Sequence, residues 1–359
     1  MRNNLRLYHK LFGQIRHWLP SERVTRQRNL ALLVVGLYLA QSVHLTKIAS
    51  KLHVPAKKLS LANRLRRFLR NAAVNIQAYY EPLLLPLLKA VAGKDVLLII
   101  DTTKVGPWHR ALVVTLAYRR RALPLAWSVH EGTRGNVAVT IQLALLKRVY
   151  QLLPLGTAVT LVADSGFDSP DFLRWLRAHG WHFVVRQRSN VTVRPLNQQQ
   201  WCALGSIAIQ PGETRVLGWS WLAKSSPFGP VWVVLHWKKG EDDPWLLASD
   251  VSERRTVLRL YRKRAWIEAM YGDMKTRGFD LELTRLAEPQ RIERLLLGVA
   301  IAYLWLVALG SWVVKNGCRR LLDRPDRRDL SYFRLGRDWL AERFRQGLSV
   351  HFRFLPYYL

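Results

Sequence analysis

Twenty consecutive residues, Leu295 to Val314, read LLLGVAIAYLWLVALGSWVV and carry no charge. Such a run has two physical outcomes. It spans a hydrocarbon layer, which takes about 20 apolar residues in a helix, or the rest of a large protein buries it on every side. Either outcome dictates much of the surrounding architecture, because a helix apolar all round has no solvent face. Length and hydropathy leave both open. No second run is equally strong: Leu30 to Ala40, LALLVVGLYLA, is too short to cross a membrane.

The rest of the chain is strongly basic. Lys and Arg number 56 against 25 Asp and Glu, a formal charge of +31 over 359 residues. An excess of that size repels itself and suits a polyanion, so nucleic acid is the first partner to consider and an anionic membrane surface its rival. Apolar residues make up 49% of the chain, which excludes a disordered polymer. The length suffices for two or three domains with a large core. Cys202 and Cys318 are too few for a disulfide framework and lack metal-ligand spacing; they read as free thiols in a reducing compartment. The N-terminal segment MRNNLRLYHKLFGQIRHWLP has neither the apolar stretch nor the cleavage site of a signal peptide.

Residues 1–92 read as helical and basic. Leu30 to Gln41 forms a buried helix, Leu45, Ile48, Ala49 and Leu52 carry helical spacing, and Pro55 lies in a connector. A second helix, capped by Ser60, turns Leu61, Leu65, Phe68 and Leu69 inward and leaves Arg64 and Arg67 among the outward cations. Two short helices with a basic second member suggest a helix-turn-helix that touches DNA through Arg64 and Arg67. The plainer alternative is a helical hairpin with a solvated basic face.

From Asp95 the pattern changes. DVLLIID and TAVTLVAD are continuous apolar runs, each closed by a carboxylate, Asp101 and Asp164. Between them, two β-rich runs meet at Arg119 to Arg121 as a hairpin, and residues 136–153 read as a helix. Strands of this kind alternating with helices imply a mixed sheet buried on both faces. The strand ends of open α/β sheets are where ligand sites gather, although a lone Asp there often only caps a turn. Residues 191–251 are β-rich and crowded with Trp, including Trp245, and read as a β insertion.

The stretch Tyr261 to Lys275, YRKRAWIEAMYGDMK, completes the set. On a helix, Tyr261, Arg264, Glu268 and Lys275 share an arc of about 60°. Trp266, Ile267, Met270 and Met274 lie on the other side, suited to a core. A solvated, salt-bridged helix face is the ordinary meaning of such a stripe. The order and spacing, Y-(2)-R-(3)-E-(6)-K, together with IIDTT around Asp101 and D-S-G-F from Asp164, closely resemble the DDE transposases of bacterial insertion sequences, specifically the insertion-sequence-four family. Ser165 stands where many members carry Arg.

The resemblance covers roughly residues 95 to 315 and implies an α/β fold: a ribonuclease H-like catalytic core, interrupted by the β-rich insertion and preceded by an α-helical DNA-binding region. The expected units are 1–92, helical; 93–190, first part of the core; 191–251, insertion; 252–322, second part with the catalytic helix; and 323–359, a basic tail. It also places a core-packed helix just after the catalytic one, so 295–314 reads as buried and no membrane is expected. It implies that Asp101, Asp164 and Glu268 are catalytic and bind Mg²⁺ or Mn²⁺, the ions suited to acid-only oxygen ligands. Tyr261, Arg264 and Lys275 attend the phosphates of the transposon end. Trp245, in a Trp-Leu-Leu context, stacks on an extruded base, with sheet core as the alternative. The implied activity is binding of terminal inverted repeats, end cleavage and joining to target DNA by a homodimer through a hairpin intermediate, in the bacterial cytoplasm and at the nucleoid. A non-catalytic basic DNA-binding regulator and a membrane protein spanning at 295–314 are the competing readings.

Overall fold

The computed structural model describes residues 2–133, 135–350 and 352–357; Met1, Arg134, His351, Tyr358 and Leu359 lie outside the described residues. Helices come first: α1 (Arg2–Trp18), α2 (Val24–Ala40), α3 (Leu45–Lys51), α4 (Lys58–Arg70) and α5 (Ile76–Ala90). Ser60 does not cap α4. The helix begins at Lys58 after Lys57, because Lys58 and Leu59 are themselves good helix formers, and Ser60 lies in its first turn. There follow β1 (Val96–Val105), β2 (His109–Tyr118), β3 (Arg121–Glu131), α6 (Val139–Leu152), β4 (Val159–Ala163), α7 (Pro170–Ala178) and β5 (His182–Arg186). Next are β6 (Thr192–Pro195), β7 (Cys202–Ala203), β8 (Thr214–Leu222), β9 (Phe228–His236) and β10 (Trp245–Ser249). The chain ends with α8 (Arg254–Arg262), α9 (Ala265–Met274), α10 (Pro289–Lys315) and α11 (Tyr332–Arg345).

Among the described residues the strands form one ten-stranded sheet, in the order β3-β2-β1-β4-β5-β10-β9-β8-β6-β7. β1 pairs antiparallel with β2 and parallel with β4, and β4 pairs parallel with β5. The parallel strands are the continuous apolar runs, as burial on both faces requires. The strands of 191–251 do not stand apart from this sheet. β10 pairs antiparallel with β5, Leu247 opposite Arg186, so the apparent insertion continues the same ladder and leaves β5 without an open edge.

The uncharged run belongs to α10, and every residue from Leu295 to Ser311 is buried. Among the described residues α10 is the one unbroken helix long and apolar enough to cross a membrane, yet 89% of its apolar window lies inside the protein. α2, β3 and α11 pack around it. The contact with α11 is backbone on backbone. A Cβ on Gly310 would sit 1.8 Å from the Tyr332 carbonyl oxygen, and one on Gly336 would sit 1.9 Å from that of Leu306. Arg294 anchors the N-terminal end of α10 by donating to the carbonyls of Leu69 and Val74, at 3.1 and 3.2 Å. The apolar helix is thus the floor on which the helical N-terminal third and the sheet meet.

Candidate active site

β1 and β4 run parallel with Ile100 opposite Ala163, so the residues that follow, Asp101 and Asp164, lie side by side. Asp164 stands just past the end of β4, but Asp101 does not close β1, which continues to Val105 because it stays paired with β2. Adjacent strands are about 4.8 Å apart. Asp164 follows Val162 by two residues and therefore shares the sheet face whose apolar cluster is Val162, Val184, Val234 and Leu247 under Val257, Leu258 and Tyr261 of α8. Asp101 is buried, and one carboxylate oxygen accepts the Thr102 N–H at 2.8 Å. One oxygen of Asp164 accepts the Gly166 N–H at 2.8 Å, capping the short turn Ser165–Phe167. Burial, helped by the charges of Asp164 and Glu268, pushes the Asp101 carboxyl up to about 7, against the opposing pull of Arg264 and the Thr102 amide.

Glu268 reaches this pair from α9. Tyr271, one turn beyond it, donates its hydroxyl to the Asp101 carbonyl oxygen at 3.1 Å, which holds that face of α9 on β1. The sequence reading missed Tyr271; its place three residues after Glu268 was the available signal. The Tyr261–Lys275 stretch is not one helix. α8 stops at Arg262, and the joint is closed by three-residue bonds, Arg264 N–H to Tyr261 O at 2.9 Å and Ile267 N–H to Arg264 O at 3.1 Å. The tighter bonding interrupts the α-helical ladder at Lys263 and Arg264, while Arg264 and Glu268 keep the i,i+4 pairing of a helical face.

Arg264 sits at that joint and occupies the centre of the cluster. Its guanidinium lies 3.5 Å from a carboxylate oxygen of Asp101 and donates directly to Glu268. Burial works against the Arg264 charge, but Tyr261, Asp101, Glu268 and Asp164 outweigh it and its pKa is raised. Among the described residues no three His, Cys, Asp or Glu side chains stand close enough to hold one ion. The reason is visible: Glu268, half exposed, is turned onto Arg264. In chemistry the donors nevertheless suit a hard divalent cation. They are all carboxylates, and their mutual repulsion is what such an ion relieves.

The other predicted residues fall in different settings. Tyr261 is buried, its ring edge-on to Trp245 at 4.9 Å between centroids. Trp245 opens β10, half-buried between Tyr261 and His236. Lys275 closes α9, reaches over the Tyr271 ring at 5.9 Å and pairs with Glu282 at 2.7 Å. Arg64 and Arg67 lie on α4. Arg64 donates to the Asn29 side chain at 2.5 Å, and Arg67 is exposed. A basic ridge escaped the sequence reading. Arg254, Arg255, Arg259 and Arg262 are exposed on the outer side of α8, opposite Val257, Leu258 and Tyr261, and lead to the Arg264 joint.

Residues 93–305, more than half of the chain, match the family profile described as the transposase DDE domain. No curated protein sequence matches. Among solved structures, a piggyBac transposase synaptic complex with hairpin DNA, determined by cryo-EM, aligns over 99% of this chain and 84% of its own, at 11% identity and a TM-score of 0.44. The matched segment contains Asp101, Asp164 and Glu268, and on its extent the chain belongs to the transposase DDE domain family.

Proposed function

We propose that this protein is a DDE transposase of the insertion-sequence-four type, which binds the inverted repeats at the ends of its element, cuts there and joins the ends to target DNA. The observation that carries this is the convergence of three carboxylates on one cationic centre: Asp101 and Asp164 side by side on β1 and β4, and Glu268 bound to the same Arg264 that faces Asp101. The sheet order β3-β2-β1-β4-β5, with helices α9 and α10 packed on it, supports the ribonuclease H-like reading of the core.

In this mechanism Asp101, Asp164 and Glu268 would hold Mg²⁺ or Mn²⁺. A divalent cation there supplies Lewis acidity and charge neutralisation for phosphoryl transfer. The protein's own groups do the positioning. Arg264 releases Glu268 and takes a phosphate oxygen with its two-pronged guanidinium. Lys275 leaves Glu282 and adds a point charge, and the exposed arginines of α8 hold the duplex that leads to the joint. Water and then a DNA 3′-hydroxyl act as nucleophiles, and a dimer brings two ends together.

The test is cleavage of a duplex carrying the inverted repeats that flank the gene. Wild type should nick it in Mg²⁺, and Glu268→Gln should bind it with near-normal affinity and not nick it. Nicking by Glu268→Gln at the wild-type rate would remove the assignment, and binding without cleavage by wild type would make the protein a regulator.

A further inference from the structure

The β2–β3 hairpin is closed by only two residues, Arg119 and Arg120, since Tyr118 pairs with Arg121 across it. Both take positive φ, 44° and 63°. This turn matches the twist of the strands, and Asn-Gly ordinarily supplies it because a Cβ in the left-handed region crowds the following carbonyl. Arginine is not a residue that this turn favours, and here it fills both positions. Backbone held in a sparsely populated conformation marks a place where the side chains serve something else.

The tip forms one wall of a groove of about 500 Å³ whose other wall includes Arg319, Arg328 and the start of α11 at Ser331 and Tyr332. Its charges do not cancel. Arg121 is paired with buried Asp273 and Arg319 with Asp323, both at 2.5 Å, while Asp329 is paired with Arg327 at 2.7 Å. Arg120 and Arg328 have no carboxylate partner among the described residues, and Arg119 adds a further cation on the same wall. The groove thus offers guanidinium forks and hydroxyls in excess over its one lining carboxylate, Asp329, which Arg327 already engages, and this is the chemistry that binds phosphodiester oxygens.

We infer that this groove grips the phosphate backbone of duplex DNA at a second point, distinct from the carboxylate cluster; the inference rests on the reading above that the chain acts on DNA. Asp101 lies opposite Val113, and Arg119 is six residues farther along β2. At about 3.3 Å per residue the separation is about 20 Å, the length of roughly six base pairs.

The experiment is fluorescence anisotropy of the full chain with a labelled duplex of the element's end and its flank, across a salt series. Arg120→Gly combined with Arg328→Ala removes two contacts. The slope of log affinity against log salt should fall by about 1.8 units, which at 0.1 M salt is roughly a 60-fold weakening. Glycine relaxes the positive φ, so the melting temperature should not drop, and Arg328→Glu on its exposed loop tests the groove without touching the turn. Lys89→Ala with Lys224→Ala removes the same charge elsewhere and should cost far less. Unchanged slope and affinity in the double variant and in Arg328→Glu overturn the groove while leaving the cleavage reading intact. A loss matched by the control pair also overturns it, because net charge alone is then responsible. If wild type binds no duplex at any salt, it is the underlying reading that fails.

Discussion

Asp101→Asn should make the protein more stable and inactive at once. The Asp101 carboxyl rises from an ordinary value of 3.8 to about 7, first because it is buried and then because Asp164 and Glu268 stand near it. In the unfolded chain it ionises near 3.8. Between these values the unfolded chain gives up a proton that the folded protein keeps, so rising pH favours unfolding. The effect is absent below about pH 4, grows by about 1.4 kcal/mol per pH unit, and levels off above about pH 7 at about 4 kcal/mol. Asparagine keeps the acceptor for the Thr102 N–H and carries no charge to bury. The variant should therefore melt roughly 5 °C above wild type at pH 8, given the usual unfolding entropy of a chain this long, and at the same temperature as wild type below pH 4. Thermal unfolding followed by circular dichroism across that range, without divalent ions, reads the difference. Adding excess Mg²⁺ should raise wild type and leave the variant unmoved, since a ligand bound only by the native state stabilises it. If Asp101→Asn melts below wild type at pH 8, the Arg264 ion pair outweighs burial, and the description of a strained carboxylate cluster is wrong.

Three further outcomes follow from the same geometry. Arg264→Ala should bind Mn²⁺ more tightly than wild type without DNA, measured calorimetrically, because Glu268 is freed, and should lower the salt slope of end binding by about one unit; weaker Mn²⁺ binding would show that Arg264 does not compete for the site. Gly336→Ala should lose about 1–3 kcal/mol in chemical denaturation, because its Cβ would overlap the Leu306 carbonyl and force α11 away from α10; an unchanged midpoint would mean the two helices do not pack as described. Trp245→Ala should slow hairpin formation and spare the first nick if its ring stacks on an extruded base, a contact of about 1–3 kcal/mol, with partial rescue by an abasic nucleotide; insoluble protein would make the ring sheet core, held by Tyr261 and His236.

Local signals recovered the pieces of the site more readily than their arrangement. Asp101 and Asp164 stand out because each follows a run of contiguous apolar residues; Asp164 does close its strand, whereas β1 runs on past Asp101 to Val105, because Thr102 to Val105 keep pairing with β2. Their adjacency was not visible, because it depends on β1 and β4 pairing in register across a gap of about sixty residues. The Tyr261–Lys275 spacing predicts a continuous helix, since every residue in it tolerates one. The joint at Lys263 and Arg264 arises because the two helices have different beds: α8 lies on the apolar cluster of Val162, Val184, Val234 and Leu247, and α9 lies on β1 to β3. Arg264 then becomes a counter-ion inside the carboxylate cluster, and Glu268 faces it instead of completing a ligand set.

The same division holds for the whole chain. Hydropathy and charge along the chain already require that residues 295–314 be surrounded, that the apolar runs before Asp101 and Asp164 be buried, and that a polyanion suit the surface. What surrounds the apolar helix is settled by packing, through the close approach of α11 at Gly310 and Gly336. Packing likewise makes the strands of 191–251 continue the main sheet beyond β5, and brings Arg119, Arg120, Arg319 and Arg328 to one groove. Hydropathy and charge are properties of single residues and short windows. Partner choice between distant strands, helices and arginines is fixed only when the whole core packs, because each contact is stabilised by neighbours that the local sequence does not contain.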